Sequence, residues 1–438
     1  MVNVGLLSCQ SGGASDLWEY DVEPDLDLKI TWSQTFGYAS DDSGMAVLEV
    51  SEAGPLVLGT RGALEVWLLQ TDWWGALLWN ATYHEAGGGT HQAQAGIVCQ
   101  DGGYAILAAN HISTGADAMW AATWLLRLDA EGTLLWNRTF HYYMWDVCAE
   151  LVECDDGGFL LGGYILYNPF FLEDPPARFE AWLVKTDSAG NILWNYTYGD
   201  YTLHLDAAYS LVKCSAGGYA FAGTTAQDPR GLEMWLVRVS NNGTLLWQTT
   251  FGGEGDDECY DLVECEDGGF VLSGFVKDTV TNAPAAIALK TDQNGMQLWN
   301  CTSPGLGEAQ AQSLVALSNG NFAITGSTGY TSMPHDVCFW LIDQNGEHLY
   351  NMTMGGLEDD RGRCIAMNST ESFVITGYTE SYGAGERDLW LLFISEIPPP
   401  SGDGWRNLLF LLLGVGIGVA VILIVVVLIF IRRRKTEE

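Results

Sequence analysis

Short apolar runs separated by clusters of Gly, Asp and Asn recur from about residue 28 to residue 395. Runs of this length between such clusters predict β-strands joined by tight turns. Each run belongs to one of four types, which we label A to D in the order in which they follow one another. The pattern therefore predicts an all-β protein built from a repeated unit of four strands.

The repeated unit occurs seven times. D runs end in an aromatic residue that is usually followed by Asn-x-Thr, and the aromatic falls at Trp32, Trp79, Trp136, Trp194, Trp247, Trp299 and Tyr350. B runs begin at Gly54, Gly103, Gly158, Gly218, Gly269, Asn321 and Ser372, and C runs are EVWLLQ, ATWLLR, EAWLVK, EMWLVR, AAIALK, CFWLID and DLWLLF. Successive aromatics lie 47 to 58 residues apart. Such a period is typical of solenoids, propellers and arrays.

The order of the runs also predicts how the repeats close. Four strands repeated radially form a β-propeller, whose ring protects the sheet edges. The first run, Lys29 to Phe36, is of type D, and the last, Asp388 to Ile394, is of type C. We therefore expect a seven-bladed β-propeller of four-stranded blades in which the N-terminal D strand completes blade 7.

The turn between C and D has the pattern Asp-x-x-Gly-x-x-x-Trp, for example Asp72, Gly75 and Trp79. A Gly supplies the positive φ of a tight hairpin, and a large aromatic side chain can pack between blades. The pattern resembles the tryptophan-docking repeat of PQQ-like (quinoprotein-type) propellers, which is similar to repeats of prokaryotic cell-surface proteins. The resemblance covers roughly residues 28 to 395. It implies the fold and, in some relatives, a PQQ and Ca²⁺ site, although this chain has no adjacent Cys pair.

Antiparallel blades give the propeller two faces. A-to-B and C-to-D turns lie on one, which we call the turn face, and they are short and alike. D-to-A and B-to-C loops lie on the other, the loop face, and they vary in length and composition. Binding usually resides in such loops on a rigid scaffold.

The leading candidate for a binding site is the B-to-C insertion of blade 3, where an exposed apolar patch would comprise Tyr167, Pro169, Phe170, Phe171 and Leu172. The alternative is that this insertion folds down over a neighbouring blade.

Three D-to-A loops carry paired aspartates: Asp41 with Asp42, Asp256 with Asp257, and Asp359 with Asp360. Clustered carboxylates are ligands that Ca²⁺ prefers, so these pairs are candidate cation sites. Capping of the turns by Asp explains the same pattern and is the commoner role. No complete EF-hand spacing is present.

The C-terminal part of the chain predicts a membrane anchor. Residues 408–431 are uncharged, and ~20 apolar residues suffice to cross the hydrocarbon core. The basic tail 432–438 would be cytoplasmic and the propeller outside the cell. The predicted organisation is an N-terminal extension at 1–27, the propeller at 28–396, a linker at 397–407, the helix and the tail. Gly414 and Gly418 form a GxxxG pattern that would allow a helix-mediated dimer.

Export is not explained by the start of the chain. Met1 to Cys9 lack the basic residue and apolar segment of a secretory signal. A misplaced start or an unusual export route would account for this. The rival topology, a propeller on the cytosolic side, would carry four basic residues across the membrane.

The composition limits the partners. The chain has 19 basic and 55 acidic residues, a net charge of −36, and residues 1–397 alone carry −38. Nucleic acid and anionic lipid are excluded as partners of such a body, because binding them requires a cationic face. Cationic partners and divalent cations are compatible with it. A solubilising acidic surface explains the charge equally well.

Seven Asn-x-Ser/Thr sequons are candidate glycosylation sites: Asn80, Asn137, Asn195, Asn242, Asn300, Asn351 and Asn368. Five of them follow the D-strand aromatic directly, so glycans there would cover the outer rim. Duplication of a Thr-rich repeat would also produce them.

The pairs Cys148/Cys154 and Cys259/Cys265 are six residues apart, which spans ~20 Å in a strand and excludes a disulfide within each pair. We expect buried thiols.

Catalytic and metal motifs are missing from the sequence. It contains no GxSxG, HExxH, Walker or Rossmann pattern and no CxxC. We expect no catalytic residue and no certain cofactor, with Ca²⁺ as the one candidate. The expected function is a membrane-anchored extracellular recognition, adhesion or protein-interaction module with a protein or glycan ligand. The alternatives are a divalent-cation-dependent enzyme (hydrolase, lyase or quinoprotein) and a scaffold for a membrane-protein assembly.

Overall fold

A computed structural model describes residues 19–20, 28–62, 64–85, 89–113, 119–141, 146–167, 178–199, 205–227, 231–277, 283–303, 308–329 and 334–395. Seven antiparallel sheets are formed, each with the strand order A-B-C-D. The A strands contact one another around the ring and are therefore innermost. The predicted all-β seven-bladed propeller is confirmed.

Each blade contributes one strand of each type, and the ranges below run from blade 1 to blade 7. The A strands are Ser43–Ser51, Thr90–Val98, Asp146–Glu153, Asp206–Lys213, Glu258–Glu264, Glu308–Ala316 and Asp360–Met367. The B strands are Gly54–Arg61, Tyr104–Ser113, Phe159–Tyr167, Tyr219–Gln227, Phe270–Lys277, Phe322–Gly329 and Phe373–Thr379. The C strands are Glu65–Thr71, Met119–Leu128, Arg178–Thr186, Gly231–Val239, Pro284–Thr291, Asp336–Ile342 and Asp388–Ser395. The D strands are Leu77–Tyr83, Leu134–Phe140, Ile192–Tyr198, Leu245–Phe251, Gln297–Thr302, His348–Met354 and, for blade 7, Lys29–Phe36.

Closure of the ring follows the sequence prediction. Lys29 pairs with Ser395 and Phe36 with Leu389, so the N-terminal D strand completes blade 7. Ile394 pairs with Phe373, which directly follows the A-to-B turn of that blade. The chain therefore leaves the propeller on the turn face.

Blade 6 differs from the prediction by one additional strand. Glu19–Tyr20 pairs with Met352 and Asn351 on the outer side of the D strand, so this sheet has five strands. The predicted N-terminal extension thus contributes to the propeller. Two residues are too few to show any period in the sequence.

The D-strand tryptophans hold neighbouring blades together. A Cβ atom on Gly190, in the C-to-D turn of blade 3, would lie 2.7 Å from the Trp136 ring of blade 2. Gly243 has the same relation to Trp194, and Gly295 to Trp247. Each of these glycines has a φ near +80°, which a residue with a side chain adopts at a cost. The Asp-x-x-Gly turn and the Trp are therefore two halves of one contact between blades.

The last junction of the ring uses a different contact. Blade 7 has no C-to-D turn, because its C and D strands come from opposite ends of the chain. At this junction Tyr350 occupies the Trp position, and its hydroxyl donates a 2.9 Å hydrogen bond to the Leu28 carbonyl. A backbone oxygen next to the closing strand thus replaces the missing turn glycine.

One predicted alignment is wrong. The sequence pattern equates Trp340 of blade 6 with the C-strand tryptophans of other blades, such as Trp235. In the sheets, Trp235 pairs with Gly223 of its B strand, whereas the equivalent Gly326 pairs with Cys338. Cys338 therefore occupies the Trp position, and Trp340 lies two residues further along the strand.

The predicted transmembrane segment 408–431 lies outside the described residues. In the part of the chain that is described, no helix is long and apolar enough to cross a bilayer.

Candidate functional site

The predicted apolar patch is described only at its edge. Tyr167 ends the B strand of blade 3, on the loop face. Pro169, Phe170, Phe171 and Leu172 lie outside the described residues. The patch therefore stays a prediction.

A cavity lies at the base of this insertion. Its volume is about 250 Å³, and it is lined by Tyr164, Phe179, Leu205, Ala207 and Tyr209. None of these five side chains carries a charge, and three of them are aromatic. Pockets for drug-sized ligands measure ~300–1,000 Å³, so this one fits a single side chain or a comparable group.

Aromatic side chains continue from the cavity along the channel mouth. The rings of Tyr164 and Tyr209 are 6.4 Å apart, and those of Tyr209 and Tyr260 are 6.0 Å apart. Tyr260 in turn lies 5.9 Å from Phe275. Burial raises the pKa of both Tyr209 and Tyr260, so their hydroxyls are neutral at physiological pH. Blades 3, 4 and 5 thus present one continuous aromatic wall on the loop face.

Two residues of this wall, Tyr209 and Tyr260, are positioned by a β-bulge that occurs in every A strand. The pairing with the B strand skips one residue at the equivalent position of every blade, and blade 1 also skips Leu48; the equivalent residues are Met45, Gln94, Ala149, Tyr209, Tyr260, Gln312 and Arg363. A bulge leaves the extra residue unpaired and bends the strand. Because the A strands are innermost, these residues line the central channel. The sequence did not indicate them, since a bulge interrupts the two-residue alternation that identifies a strand.

The residues that follow the bulges form a second ring, further toward the turn face: Ala46, Ala95, Glu150, Ser210, Asp261, Ser313 and Cys364. Asp261 connects three blades in this ring. Its carboxylate accepts hydrogen bonds from the hydroxyls of Ser210 and Ser313, each at 3.0 Å. The backbone N–H groups of Leu262 and Leu314 donate to it at 2.7 and 2.9 Å. These four hydrogen bonds stabilise the charged carboxylate, but burial has the larger effect and raises the pKa of Asp261.

Glu150 is the second carboxyl group in this ring. Its Oε1 accepts a 2.9 Å hydrogen bond from the Leu151 N–H. Burial, and secondarily the charge of Asp261, raise the pKa of Glu150 to about 8. Glu150 is therefore mostly protonated at neutral pH. Sequence analysis missed both residues, because a single acidic residue in a strand gives no pattern.

The paired aspartates of the D-to-A loops have divided roles. The second member of each pair is buried: Asp42, Asp257 and Asp360 are at most 1% exposed. Asp257 accepts hydrogen bonds from the Gly253 and Lys277 N–H groups at 2.7 and 2.8 Å, which joins its loop to the end of the B strand. Asp42 does the same for the Tyr38 and Gly62 N–H groups.

The first member of each pair is more accessible. Asp256 lies 3.2 Å from the Lys277 ammonium, and Asp359 lies 2.9 Å from the Arg361 guanidinium. In the described residues, no group of three or more His, Cys, Asp or Glu side chains is arranged to hold a metal ion. Loop anchoring accounts for the buried aspartates, and cation binding stays a prediction.

Further acidic residues, at the starts of C strands, face these loops. Asp388 lies against Gly37, where a Cβ would come within 1.8 Å of its Oδ1 and 3.0 Å of Asp42 Oδ2. Asp336 occupies the same position at Gly355, and burial, followed by the charges of Asp360 and Asp359, raises its pKa to about 6. In the sequence, Asp388 stands two positions before the C-strand Trp390, whereas Asp336 stands two positions before Cys338, so the residue types alone did not reveal the shared position.

The sequons have a structural role within the blades. Indole N–H groups of Trp67, Trp124 and Trp182 donate to the Oδ1 atoms of Asn80, Asn137 and Asn195, at 3.3 to 3.5 Å. In blade 4, Trp235 donates to Gln248 at 3.2 Å, although Gln248 is not part of a sequon. This contact gives the recurring Asn a physical reason that is independent of glycosylation.

Access to the sequons is unequal. Asn80, Asn195, Asn242 and Asn300 are exposed, whereas Asn137 and Asn368 are half-buried. Asn351 is 4% exposed, and its strand is covered by Glu19–Tyr20. A glycan therefore has least room at Asn351. The Nδ2 atom to which a glycan is attached is not the atom that accepts the indole N–H.

The nine cysteines of the described residues are unpaired, and Cys9 lies outside them. Burial raises the pKa of the Cys148 and Cys364 thiols to about 12. Such thiols are inert, because the thiolate is the reactive form.

No protein-family model matches this sequence, and no curated protein matches it. Several solved structures resemble this chain at a distance. The WD40 domain of Neurospora crassa Pan2 is 10% identical with a TM-score of 0.48, over 83% of this chain and 95% of that domain. Puromycin hydrolase is 15% identical with a TM-score of 0.43, over 78% of this chain and 49% of the hydrolase. A β-fructofuranosidase from Bombyx mori is 9% identical with a TM-score of 0.35, over 82% of this chain and 90% of the enzyme. Such distant similarity carries no functional argument, and the propeller assignment rests on the sheets themselves.

Proposed function

We propose that this protein is a membrane-anchored propeller outside the cell, and that it recognises a protein or glycan through its loop face. The observation that carries this proposal is the cavity with its aromatic wall at the channel mouth. Aromatic side chains are enriched where proteins bind partners, because they supply large contact areas at low entropic cost. The cavity also lies beside the insertion that the sequence indicates as apolar.

The orientation of the chain supports the same function. Ser395 ends the last strand on the turn face, thirteen residues before the apolar segment that begins at residue 408. If that segment spans the membrane, the turn face is directed toward the bilayer and the loop face away from it. The cavity would then be presented to the surroundings of the cell.

The repeat supports a quinoprotein-type propeller, because the tryptophans pack on the turn glycines of the next blade, as in the repeat that the sequence resembles. This relationship concerns the scaffold. The rival hypothesis of a cation-dependent enzyme requires carboxylate oxygens that are available to a metal. Asp42 and Asp257 instead hold backbone N–H groups of their own loops.

The topology can be tested on intact cells that express the full chain. A non-permeant protease should release a propeller fragment while the basic tail stays protected, and a glycosidase should reduce the mass of that fragment. Complete protection of the propeller would refute the extracellular location.

Recognition can be tested with the detergent-solubilised full chain and isolated cell envelopes. Leu205→Glu introduces a charge at the cavity, whereas Ser188→Glu adds the same charge at an exposed position of the turn face. We expect the first substitution to reduce binding at least tenfold and the second to leave it unchanged. Equal binding by all three proteins would refute recognition through the cavity.

A further inference from the structure

We infer that the channel mouth is a binding site for a peptide group that carries a carboxylate next to an aromatic side chain, with Arg363 as the anchor for the carboxylate. This inference rests on the proposed function for the choice of face and adds the chemistry of the ligand.

Arg363 differs from the other basic residues. In the described part of the chain, every other Lys or Arg has a polar or charged partner. Among the residues that the structure describes, Arg363 makes neither a hydrogen bond nor an ion pair, although 55 acidic residues face only 19 basic ones in the sequence. An unpaired guanidinium in so acidic a protein is a site for an anion from outside.

The position of Arg363 makes it available to a ligand. It is the bulged residue of the blade 7 A strand and therefore lines the channel. Its side chain is exposed to water, yet protein atoms surround it closely enough that desolvation lowers its pKa. Partly desolvated charges bind counter-charges more strongly than fully hydrated ones. The planar guanidinium also has the geometry for bidentate contact with a carboxylate.

Neighbouring groups give the site a polarity. Arg361 and Arg387 add positive charge near Arg363, but each is paired with its own carboxylate, Asp359 at 2.9 Å and Glu380 at 2.7 Å. Arg363 thus remains the cation that is open to an incoming anion.

On the opposite side of the mouth, Arg363 interacts electrostatically with the hydroxyl of Tyr260. Tyr260 also forms a hydrogen bond with Glu258, whose pKa burial raises. The three cations of the mouth, Arg361, Arg363 and Arg387, all belong to blade 7, so an anion is directed to the blade 7 side.

The aromatic wall links Arg363 to the cavity. Tyr260 interacts electrostatically with Arg363 across the mouth, and its ring lies 6.0 Å from that of Tyr209. Tyr209 lines the cavity, whose volume of about 250 Å³ suits one side chain. A carboxylate at Arg363 and an aromatic ring along this wall can thus be bound at the same time.

Three small probes separate the two parts of the site: N-acetylphenylalanine, its neutral amide, and N-acetylalanine. Binding of each to the detergent-solubilised full chain is measured by ligand-observed NMR titration. We expect the phenylalanine acid to bind about tenfold more tightly than the amide, because a charge-assisted bond is lost. N-acetylalanine should bind more weakly than N-acetylphenylalanine as well. Equal affinity for the acid and the amide would overturn the inference without any variant.

Variants then assign the anchor. Arg363→Gln should abolish the preference for the acid. Arg363→Lys should retain part of this preference, because the positive charge remains but the bidentate geometry of the guanidinium is lost. Arg61→Gln is the matched control, since Arg61 lies on the loop face of blade 1 and is paired with Glu65. A preference that survives in Arg363→Gln, or that is lost in Arg61→Gln, would contradict the assignment.

The two proposals fail separately. A propeller located inside the cell would refute the proposed function, while selective binding of the acid to the solubilised protein would still stand. Conversely, an extracellular propeller with no preference for the acid would refute only this inference.

Discussion

Glu150→Gln should stabilise the propeller at neutral pH and leave its stability unchanged in mild acid. The substitution retains an oxygen that can accept the 2.9 Å hydrogen bond from the Leu151 N–H, and it removes a titratable group. Burial raises the pKa of Glu150 to about 8, from an ordinary value of 4.5. Well below pH 4.5 the carboxyl group is protonated in both the folded and the unfolded chain, and at pH 4.5 itself its contribution is only ~0.4 kcal/mol.

Between these two pKa values the unfolded chain releases a proton that the folded chain retains. Stability therefore falls as the pH rises, by ~1.4 kcal/mol per pH unit. At pH 7 the free energy of unfolding is reduced by at most about 3 kcal/mol. Glu150 is half-buried, which makes this value an upper limit.

The assay is urea unfolding of the wild-type and Glu150→Gln proteins at pH 4.5 and pH 7. The two free energies of unfolding should agree at pH 4.5, and the variant should be up to about 3 kcal/mol more stable at pH 7. Glu131→Gln, at an exposed position of the turn face, controls for the loss of a charge in a highly acidic protein. A difference between wild type and Glu150→Gln that is the same at both pH values would refute a neutral Glu150.

Three further perturbations test other contacts. Gly190→Ala would place a Cβ 2.7 Å from the Trp136 ring. The control Gly217→Ala also has a positive φ, but no atom lies within 4 Å of its Cβ. Thermal unfolding should therefore show that Gly190→Ala loses about 1–3 kcal/mol more stability than the control. Asp261→Ala removes the acceptor of the Ser210 and Ser313 hydroxyls, so the free energy of unfolding in urea should fall by about 2–4 kcal/mol. The control Asp41→Ala lies at an exposed position and should change this free energy little. Asn80→Gln should abolish any glycan at that sequon, which intact mass would show. It should keep most of the stability, because Gln248 accepts the equivalent indole hydrogen bond in blade 4. Asn80→Ala removes the acceptor and should lose about 1 kcal/mol more. Equal losses within any of these comparisons would contradict the contact concerned.

Much of the fold could be predicted from the sequence, because each blade repeats the same local chemistry. The D-strand aromatic and the turn glycine are frequent enough to give the number of blades and the closure by Lys29–Phe36. The prediction failed in blade 6, where Trp340 was aligned by residue type. Its strand register is set by pairing with the B strand, and pairing places Cys338 at that position.

The candidate site could be predicted only in outline. The loop face was identified from the length and variety of its loops, and the blade 3 insertion led to the region of the cavity. Arg363, Tyr260 and Asp261 were not identified, because neither the bulge nor the position after it holds one residue type throughout the ring. A position that varies between repeats carries no repeat signal, although the bulge itself is repeated.

This division between repeated and variable positions has a physical basis. Toward the turn face, buried C-strand cations such as Lys185 and Lys290 pair with Asp156 and Asp267 of their own blades at 2.7 to 2.8 Å. The contacts that hold the ring lie on the same side, where tryptophans pack on the turn glycines of the next blade. A substitution there affects two blades at once, so these positions can change little. The bulged residues of the A strands make no ladder contact, and the loop face is free of the docking contacts. The channel mouth can therefore differ in every blade without weakening the ring, which is why a binding site is expected there and why the repeat could not reveal it.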